Sequence, residues 1–222
     1  MKQKFQILKN SKKFSKSSQK WLRRQINDPL VMQAKIDGFL SRAAYKIIEI
    51  DNKFKIFKKN HLVIDLGAAP GGWSQVAVKK VGNNNVIALD LLPMQPISGI
   101  ISMQLDFFSE EAKEAIIQQI KTNSPRQSKC NVVMSDMAAN ATGNSNTDHL
   151  RIINLLEEAL NLAIIVLAKN GSFIGKLFQG GSSQLIVQNL QQYFSKVSYF
   201  KPQSSRKDSS EVYLVATGFK GN

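Results

Sequence analysis

The sequence has few residues that could hold a metal ion through sulfur or imidazole. Its 222 residues include one cysteine, Cys130, and two histidines, His61 and His149. A single cysteine excludes an intramolecular disulfide and a zinc site built from thiolates. Two histidines argue against a histidine-based metal centre. We therefore expect no bound metal, and a reducing compartment fits this cysteine usage best.

Long apolar stretches are also missing. The longest candidate, Ala159–Ala168, is interrupted by Asn161 and falls well short of the ~18 residues of a membrane span. Near the N-terminus only Phe5–Leu8 is apolar, which is too short for the core of a signal peptide. A serine-rich N-terminus without acids also occurs in mitochondrial transit peptides, but those favour arginine over lysine. We expect a soluble, unexported, cytoplasmic protein with no membrane partner.

Acidic residues are scarce only in the first part of the chain. The whole sequence carries a net charge of +14, from 30 Lys and Arg against 16 Asp and Glu. Residues 1–60 hold 16 of the basic and 4 of the acidic side chains, whereas residues 61–222 are nearly neutral. Such a chain favours a polyphosphate partner, because each neutralised phosphate releases counterions. Charge alone does not distinguish RNA, DNA and an anionic membrane.

The same distribution predicts one main domain preceded by basic segments. Residues 1–16 lack acids and are rich in lysine and serine, which predicts a flexible basic arm. We expect residues 17–60 to form a basic helical region packed on the core. Residues 61–222 are long enough to bury one good core and should form a single domain.

One helix is predicted within the basic region, over Leu40–Phe54 and beginning near Ser41. Arg42 and Lys46 are four residues apart and should project from the face opposite its apolar residues. These two cations could bind a polyanion, or they could be the solvated back of an ordinary helix. The apolar face contains Leu40, Ala44, Ile47 and Ile48.

After residue 60, strand-like apolar runs alternate with helical patterns, which predicts an α/β fold with a doubly wound, mostly parallel sheet and helices on both faces. The loop Pro202–Ser210 is too short for a crossover helix, so the last of the seven strands should run antiparallel to the one before it. The predicted strands are His61–Leu66, Asn85–Leu91, Ile100–Leu105, Asn131–Ser135, Ser172–Phe178, Lys196–Phe200 and Glu211–Gly218. The predicted helices are Trp73–Val81, Glu110–Lys121, Asp148–Ala168 and Ser183–Phe194.

A glycine-rich turn follows the first predicted strand and begins at Gly67. Glycines there let the backbone approach a ligand closely. The turn departs from the dinucleotide fingerprint G-x-G-x-x-G, because Ala69 replaces the second glycine. The strand also carries an acid, Asp65, which would repel a pyrophosphate but suits the ammonium or sulfonium of S-adenosyl-L-methionine.

Acids also end the next two strands. Asp90 ends the second, where a carboxylate can accept both hydroxyls of a ribose. Asp106 and Phe107 follow the third, placing an acid for an adenine amino group and an aromatic side chain beside the ring. Strand ends converge on the crevice that usually holds the ligand of an open α/β sheet. Each acid taken singly could merely cap a helix or turn, but together they indicate S-adenosyl-L-methionine as the cofactor.

Two acids and two lysines are expected to meet at this same edge of the sheet. Asp136 follows the fourth strand, Lys176 lies inside the apolar fifth strand, and Glu211 begins the antiparallel last strand. The helix of the basic region can lay Lys46 over that edge. Because a buried lysine is costly unless it is paired, Lys176 could also be only the structural ion-pair partner of Glu211.

These four residues suit the methylation of an alcohol. A ribose 2′-hydroxyl must lose its proton as its oxygen attacks a sulfonium methyl group, and a positioned base contributes about 10² to 10⁴-fold. Lysine can be that base in its neutral form, which burial and a second ammonium favour and a carboxylate opposes. We assign Lys176 as the base, Lys46 as the neighbouring cation that also holds the ribose or phosphate, and Asp136 and Glu211 as orienting acids.

Several segments are distinctive as a set: Trp21-Leu22, Gln33-Ala34, Ser41-Arg42-Ala43 followed by Lys46, Leu66-Gly-Ala-Ala-Pro-Gly-Gly-Trp-Ser-Gln75, Asp90-Leu-Leu-Pro-Met94, Met134-Ser-Asp-Met-Ala138, Ser204-Ser-Arg206 and Glu211-Val-Tyr213. Over about residues 17–219 the chain thereby resembles the RrmJ (FtsJ, RlmE) family of ribosomal RNA 2′-O-methyltransferases. The resemblance implies a Rossmann-like S-adenosylmethionine-dependent methyltransferase fold.

The resemblance also implies site residues and a substrate. The family's Lys-Asp-Lys-Glu tetrad falls on the four residues assigned above, and its methyl-donor contacts fall on Gly71, Trp73, Asp90, Asp106 and Asp136. We add Gly67 and Phe107 to the cofactor contacts, and Arg42, Arg23 and Arg24 to Lys46 as RNA contacts. The implied reaction is methylation of a uridine ribose in the A-loop of 23S rRNA. Large-subunit RNA or the 50S particle is then the partner of a protein expected to be a monomer.

The chain departs from the family pattern at three places. Ala139 stands where proline is expected, Gly175 where a β-branched residue is usual, and Gly180–Gln184 lacks an expected acid. Relatives that act on tRNA or mitochondrial rRNA share the tetrad. A ribosome-assembly factor, in which RNA binding matters more than catalysis, and a Rossmann-type dehydrogenase are the alternatives of other classes.

Overall fold

The computed structural model describes residues 16–124, 128–139, 142–179 and 184–221. In these ranges the helices are α1 (Lys16–Ile26), α2 (Pro29–Ile36), α3 (Ala43–Phe54), α4 (Gly72–Val81), α5 (Glu110–Asn123), α6 (Ser145–Val166) and α7 (Gln184–Tyr193). The strands are β1 (Val63–Leu66), β2 (Val86–Asp90), β3 (Ile100–Gln104), β4 (Cys130–Ser135), β5 (Leu167–Phe178), β6 (Phe194–Phe200) and β7 (Glu211–Phe219).

The strands form a single sheet in the order β3-β2-β1-β4-β5-β7-β6. β1 to β5 pair in parallel, and β7 lies antiparallel between β5 and β6. The described sheet therefore contains one reversed strand, which brings the beginning of β7 to the edge where the parallel strands end. The predicted mostly parallel sheet with an antiparallel last strand is confirmed.

Successive residues of the strands contribute side chains alternately to two hydrophobic layers, one on each face of the sheet. Ile64 packs in one layer with helices α5, α6 and α7, and its neighbour Val63 packs in the other with α3 and α4. This alternation follows from the two-residue period of a strand. Helices therefore cover both faces, as predicted.

The basic region begins with two helices that the hydrophobic pattern alone did not delimit. Asp28 caps α2 by accepting a hydrogen bond from the backbone N–H of Leu30, and Pro29 occupies the first turn. An acid followed by proline is a recognisable helix start. Residues 1–15, most of the predicted basic arm, lie outside the described residues. The predicted domain boundaries after residues 16 and 60 stay predictions.

Several element boundaries differ from those predicted, among them both ends of α6 and the start of β5. Helix α6 starts three residues earlier than expected, because the Asn144 side chain accepts hydrogen bonds from the N–H groups of Asn146 and Thr147. It ends at Val166, and β5 begins immediately at Leu167, with an irregular register against β4. No helix in the described ranges is long and apolar enough to cross a membrane.

Gly175, one of the departures from the family pattern, faces the layer beneath α6. A Cβ atom built on Gly175 would lie 2.1 Å from Cδ1 of Leu156, a side chain that is itself fully enclosed. The glycine therefore makes room for a leucine on the packed helix. The missing side chain at position 175 is compensated by the large side chain of Leu156, so the total volume of the core at this point is kept.

We expect Gly175→Ala to lower the free energy of unfolding by about 1 to 3 kcal/mol through overpacking against Leu156. Urea unfolding curves measure this change. Combining it with Leu156→Ala should destabilise the protein by less than the sum of the two single changes, because the second removes the clash. Simple additivity, or a Gly175→Ala protein as stable as the wild type, would contradict the packing described.

Asp65 is a carboxylic acid buried completely in β1. Ser74 donates a hydrogen bond of 2.6 Å to its Oδ2 atom, and Oδ1 has no partner among the described residues. Burial raises the pKa of Asp65 to about 7, and the charges of Asp136 and Asp90 act in the same direction. The carboxyl group is therefore turned towards Ser74 in the protein interior.

The raised pKa predicts a pH dependence of stability. Between about pH 4, where Asp65 titrates in the unfolded chain, and its folded pKa of about 7, the folded state binds more protons, so stability falls as the pH rises. In the Asp65→Asn protein, the free energy of unfolding should decrease over this pH range by about 2 to 4 kcal/mol less than in the wild type. Urea unfolding of both proteins from pH 4.5 to 7.5 measures the difference. Parallel stability curves would show that Asp65 does not titrate in this window.

Candidate active site

The candidate site lies where β1, β2 and β4 end and the glycine-rich turn begins. Gly67 has a φ of +74°, and a Cβ atom there would come within 2.9 Å of the Met137 backbone. Gly71 has a φ of +109° and caps α4. Both positions therefore require glycine. The turn packs tightly against the loop after β4 and leaves an open crevice beside it.

A first cavity of about 330 Å³ occupies this crevice. Five residues predicted to contact the cofactor line it: Gly67, Asp90, Asp106, Phe107 and Asp136. The backbone N–H groups of Ala69 and Leu92 each donate a 2.8 Å hydrogen bond to Asp90. Asp106 accepts one of 3.0 Å from the N–H of Phe108. These acids thus cap turns and also line a cavity, so the two roles considered for them are compatible.

Two other predicted cofactor contacts, Gly71 and Trp73, do not line this cavity. The Trp73 side chain is buried, donates a 2.9 Å hydrogen bond from Nε1 to the carbonyl of Ala43, and packs on Tyr213 with ring centroids 5.4 Å apart. It therefore ties α4 to α3 beneath the site. Asp65 is also absent from the lining, because its side chain points into the protein towards Ser74.

A second cavity, of about 500 Å³, adjoins the first. All four residues predicted to be catalytic line it, namely Lys46, Asp136, Lys176 and Glu211. Asp136 is common to both cavities. Its carboxylate therefore stands between the crevice beside the glycine turn and the space in front of the two lysines.

Lys176 forms an ion pair with Asp136 and not with Glu211. Its Nζ atom lies 2.5 Å from the backbone oxygen and 3.1 Å from Oδ1 of Asp136. Burial acts to raise the pKa of Asp136, but the positive charges of Lys176 and Lys46 outweigh it and hold the pKa below its usual value. Asp136 is therefore ionised at neutral pH.

The second ion pair joins helix α3 to the start of β7. Lys46 Nζ lies 2.7 Å from one carboxylate oxygen of Glu211 and 2.8 Å from the other. The hydroxyl group of Ser205 donates a 3.0 Å hydrogen bond to the same carboxylate. The side chain of Lys46 is 13% exposed, so Lys46 is not part of a solvated helix back.

Tyr213 connects the two ion pairs and was not among the predicted site residues. Its hydroxyl donates a 2.8 Å hydrogen bond to Asp136 Oδ1 and accepts one of 3.1 Å from Lys46 Nζ. Burial and the charge of Asp136 raise its pKa well above the usual value, so the hydroxyl keeps its proton. A signal was available in the sequence, because Tyr213 shares a strand face with Glu211 two residues earlier.

Two arginines in the lining of the second cavity share an acidic partner. Arg42 and Arg206 both donate hydrogen bonds to the buried carboxylate of Asp28, and Arg42 also donates to the carbonyl of Ser204. Both arginines line the cavity. Arg206 was not predicted as a site residue, although it lies in one of the distinctive segments. Asp28 thus holds two cations together in the lining of the cavity.

The remaining predicted RNA contacts lie farther out. Arg23 and Arg24 line a separate shallow depression that also includes Arg42, Arg206 and Asp28. Arg24 pairs with Asp208 at 3.1 Å, and both side chains are largely exposed. Residues 180–183, most of the loop that departs from the family pattern, lie outside the described residues. In the described ranges, no group of His, Cys, Asp or Glu side chains could hold a metal ion.

Comparisons with known proteins identify the family. A family model described as FtsJ-like methyltransferase matches residues 39–219. Ribosomal RNA large subunit methyltransferase E of Rickettsia bellii is 50% identical over 223 residues, which cover 98% of this chain and 96% of that protein. The protein of the same name from Azorhizobium caulinodans is 47% identical, over 97% of this chain and 89% of its own length.

A solved structure agrees with these sequence matches. A crystal structure described as a ribosomal RNA methyltransferase of Plasmodium falciparum superposes with a TM-score of 0.72 at 30% identity. The match covers 83% of this chain and all of that one. The chain belongs to the FtsJ-like methyltransferase family.

Proposed function

We propose that this protein is an S-adenosylmethionine-dependent methyltransferase that modifies the ribose 2′-hydroxyl of a uridine in the 23S rRNA of the large ribosomal subunit. One observation carries the proposal: a cavity suited to a nucleoside meets a cavity lined by two lysines, and the carboxylate of Asp136 stands where they join. Family membership and relatives named for large-subunit rRNA methylation support the substrate. They also argue against the dehydrogenase alternative.

The first cavity fits the methyl donor. Its volume of about 330 Å³ is at the small end of the range typical of ligand pockets, and its lining combines apolar side chains with three acids, Asp90, Asp106 and Asp136. We propose that Asp90 binds the ribose hydroxyls, that Asp106 and Phe107 hold the adenine, and that Gly67 admits the chain of the amino acid. S-adenosylmethionine, when bound, supplies a methyl group on a positively charged sulfur.

Lys176 is the proposed base. The carbonyl and the carboxylate of Asp136 accept two hydrogen bonds from its Nζ atom. To act as the base, Lys176 must enter the reaction as a neutral amine and not as the ammonium of the resting ion pair with Asp136. In the neutral amine these two contacts use both N–H groups and leave the lone pair directed elsewhere. We propose that the lone pair takes the proton of the ribose 2′-hydroxyl. A donor held in the first cavity would supply the methyl group to that oxygen, and its sulfur would keep the electron pair of the broken sulfur–carbon bond.

The residues hydrogen-bonded to one another around Lys176 would hold Lys176 and the ribose in the correct relative position. Tyr213 fixes the carboxylate of Asp136, and Lys46, anchored by Glu211, offers its positive charge to the ribose oxygen or an adjacent phosphate. Arg42 and Arg206 would hold a neighbouring phosphate, because guanidinium groups present paired donors to such oxygens. Arg23 and Arg24 would extend this contact along the RNA.

Two alternative functions share either the reaction or the RNA partner of the proposed function. Relatives acting on tRNA or mitochondrial rRNA would share the tetrad, and an assembly factor would need the RNA surface more than the reaction. We favour large-subunit RNA or the 50S particle, in the cytoplasm, because curated relatives about 50% identical over nearly the whole chain are named for that substrate.

Lys176→Met should abolish methyl transfer to large-subunit RNA, with a loss of at least about 100-fold in kcat, because the proposed base is removed while apolar packing is kept. Transfer of tritium from the labelled donor measures the rate. Donor binding, measured by calorimetry, should change little because Lys176 does not line the first cavity. Lys121→Met, on the exposed side of α5, is the matched control. Wild-type rates in Lys176→Met would remove Lys176 as the base.

A further inference from the structure

We propose that this protein contacts its RNA substrate at a second surface, at the end of the sheet opposite the active site. Five lysines define this distal lysine surface: Lys53, Lys55, Lys58, Lys169 and Lys196. They surround a cavity of about 380 Å³. The identity of the ligand as RNA rests on the proposed function, whereas the surface and its charge are properties of the fold.

The topology brings three distant segments together there. Lys53 lies at the end of α3, whose beginning carries Lys46. Lys169 lies near the beginning of β5, whose carboxyl end carries Lys176. Lys196 lies opposite Thr217 in the backbone register of β6 and β7. Thr217 is near the end of β7, whereas Glu211 begins that strand. Each of these three segments therefore has one end at the active site and the other end at the distal lysine surface.

The two surfaces are well separated. Lys169 and Lys176 are seven residues apart in β5, which at ~3.3 Å per residue corresponds to about 20 Å. An RNA that reaches both must therefore extend beyond the nucleotide to be methylated. A structured ribosomal RNA meets this requirement, whereas a short oligonucleotide does not.

The cations of the distal lysine surface are not neutralised by the protein. All five are exposed, and in the described ranges none of them forms an ion pair with a carboxylate. Lys53 lies over the rings of Phe54 and Phe200, at 5.5 and 4.8 Å. The residues that line the cavity include no Asp or Glu in the part of the chain described. Converging unpaired cations retain counterions that a polyphosphate would release.

The shape and polarity of the surface favour RNA over a membrane. None of the large hydrophobic side chains that are exposed in the described ranges lines the cavity. A membrane-binding surface combines basic residues with apolar side chains that enter the lipid. Here the lysines surround a depression whose other lining residues include Asn131, Asn170 and Ser172, groups that hydrogen-bond to phosphate and sugar.

The test uses Lys169→Gln combined with Lys196→Gln in the full chain. These side chains are exposed and belong to two different strands, so the fold should be retained. Lys113→Gln combined with Lys121→Gln removes the same charge from α5 and is the matched control. Binding to whole large-subunit RNA is measured by filter retention over a range of salt concentrations.

The distal variant should bind whole large-subunit RNA about 5- to 20-fold more weakly, and the slope of log K against log salt should fall by about 1 to 2. The control variant should keep the wild-type slope. Methylation at saturating RNA should keep the wild-type kcat, because the active site is untouched. A distal variant with wild-type affinity and slope, or one no weaker than the control, would overturn the inference.

Two further measurements distinguish RNA from lipid as the ligand of the distal lysine surface, and RNA binding there from methyl transfer. If the distal variant loses binding to vesicles of phosphatidylserine and phosphatidylcholine but keeps its RNA affinity, the surface binds lipid and the inference is wrong. If the wild type transfers no methyl group to RNA while its RNA binding still depends on Lys169 and Lys196, the proposed function fails and the distal contact stands.

Discussion

The hydroxyl group of Tyr213 holds two ion pairs together at the edge of the sheet. It donates to Asp136, the partner of Lys176, and accepts from Lys46, the partner of Glu211. The network depends on the reversed direction of β7, which places Glu211 and Tyr213 beside the end of β5. Without that reversal the beginning of β7 would lie at the opposite edge, and α3 would have no acidic partner for Lys46.

The same fold divides the positive charge between two ends of the molecule. The sequence places most of its surplus positive charge in the first 60 residues, and we expected four of the cations there, Arg23, Arg24, Arg42 and Lys46, to contact RNA. Arg42 and Lys46 line the second cavity, at the beginning of α3. Lys53, Lys55 and Lys58 lie at the other end of α3, because a helix of 12 residues carries the chain about 18 Å along its axis.

Much of the site could be predicted because its residues stand at strand ends. The carboxyl ends of parallel strands meet at one edge, so Asp90, Asp106 and Asp136 were expected near one another. Pairing within the site was harder to predict. Lys176 was considered as a possible ion-pair partner of Glu211. In the structure Lys176 pairs with Asp136, and Glu211 pairs with Lys46. The prediction that Trp73 contacts the donor stays a prediction. Its indole N–H bonds to the carbonyl of Ala43, a contact that depends on how α3 packs on α4.

The central claim is that the two cavities meeting at Asp136 perform methylation of a ribose hydroxyl in large-subunit RNA. Mapping of 2′-O-methylated riboses in ribosomal and transfer RNA, from cells with and without the protein, tests it most directly. We predict the loss of one 2′-O-methyluridine from the large-subunit RNA and no other change. An unaltered map, or the loss of a methyl group from a base or from tRNA, would contradict this account.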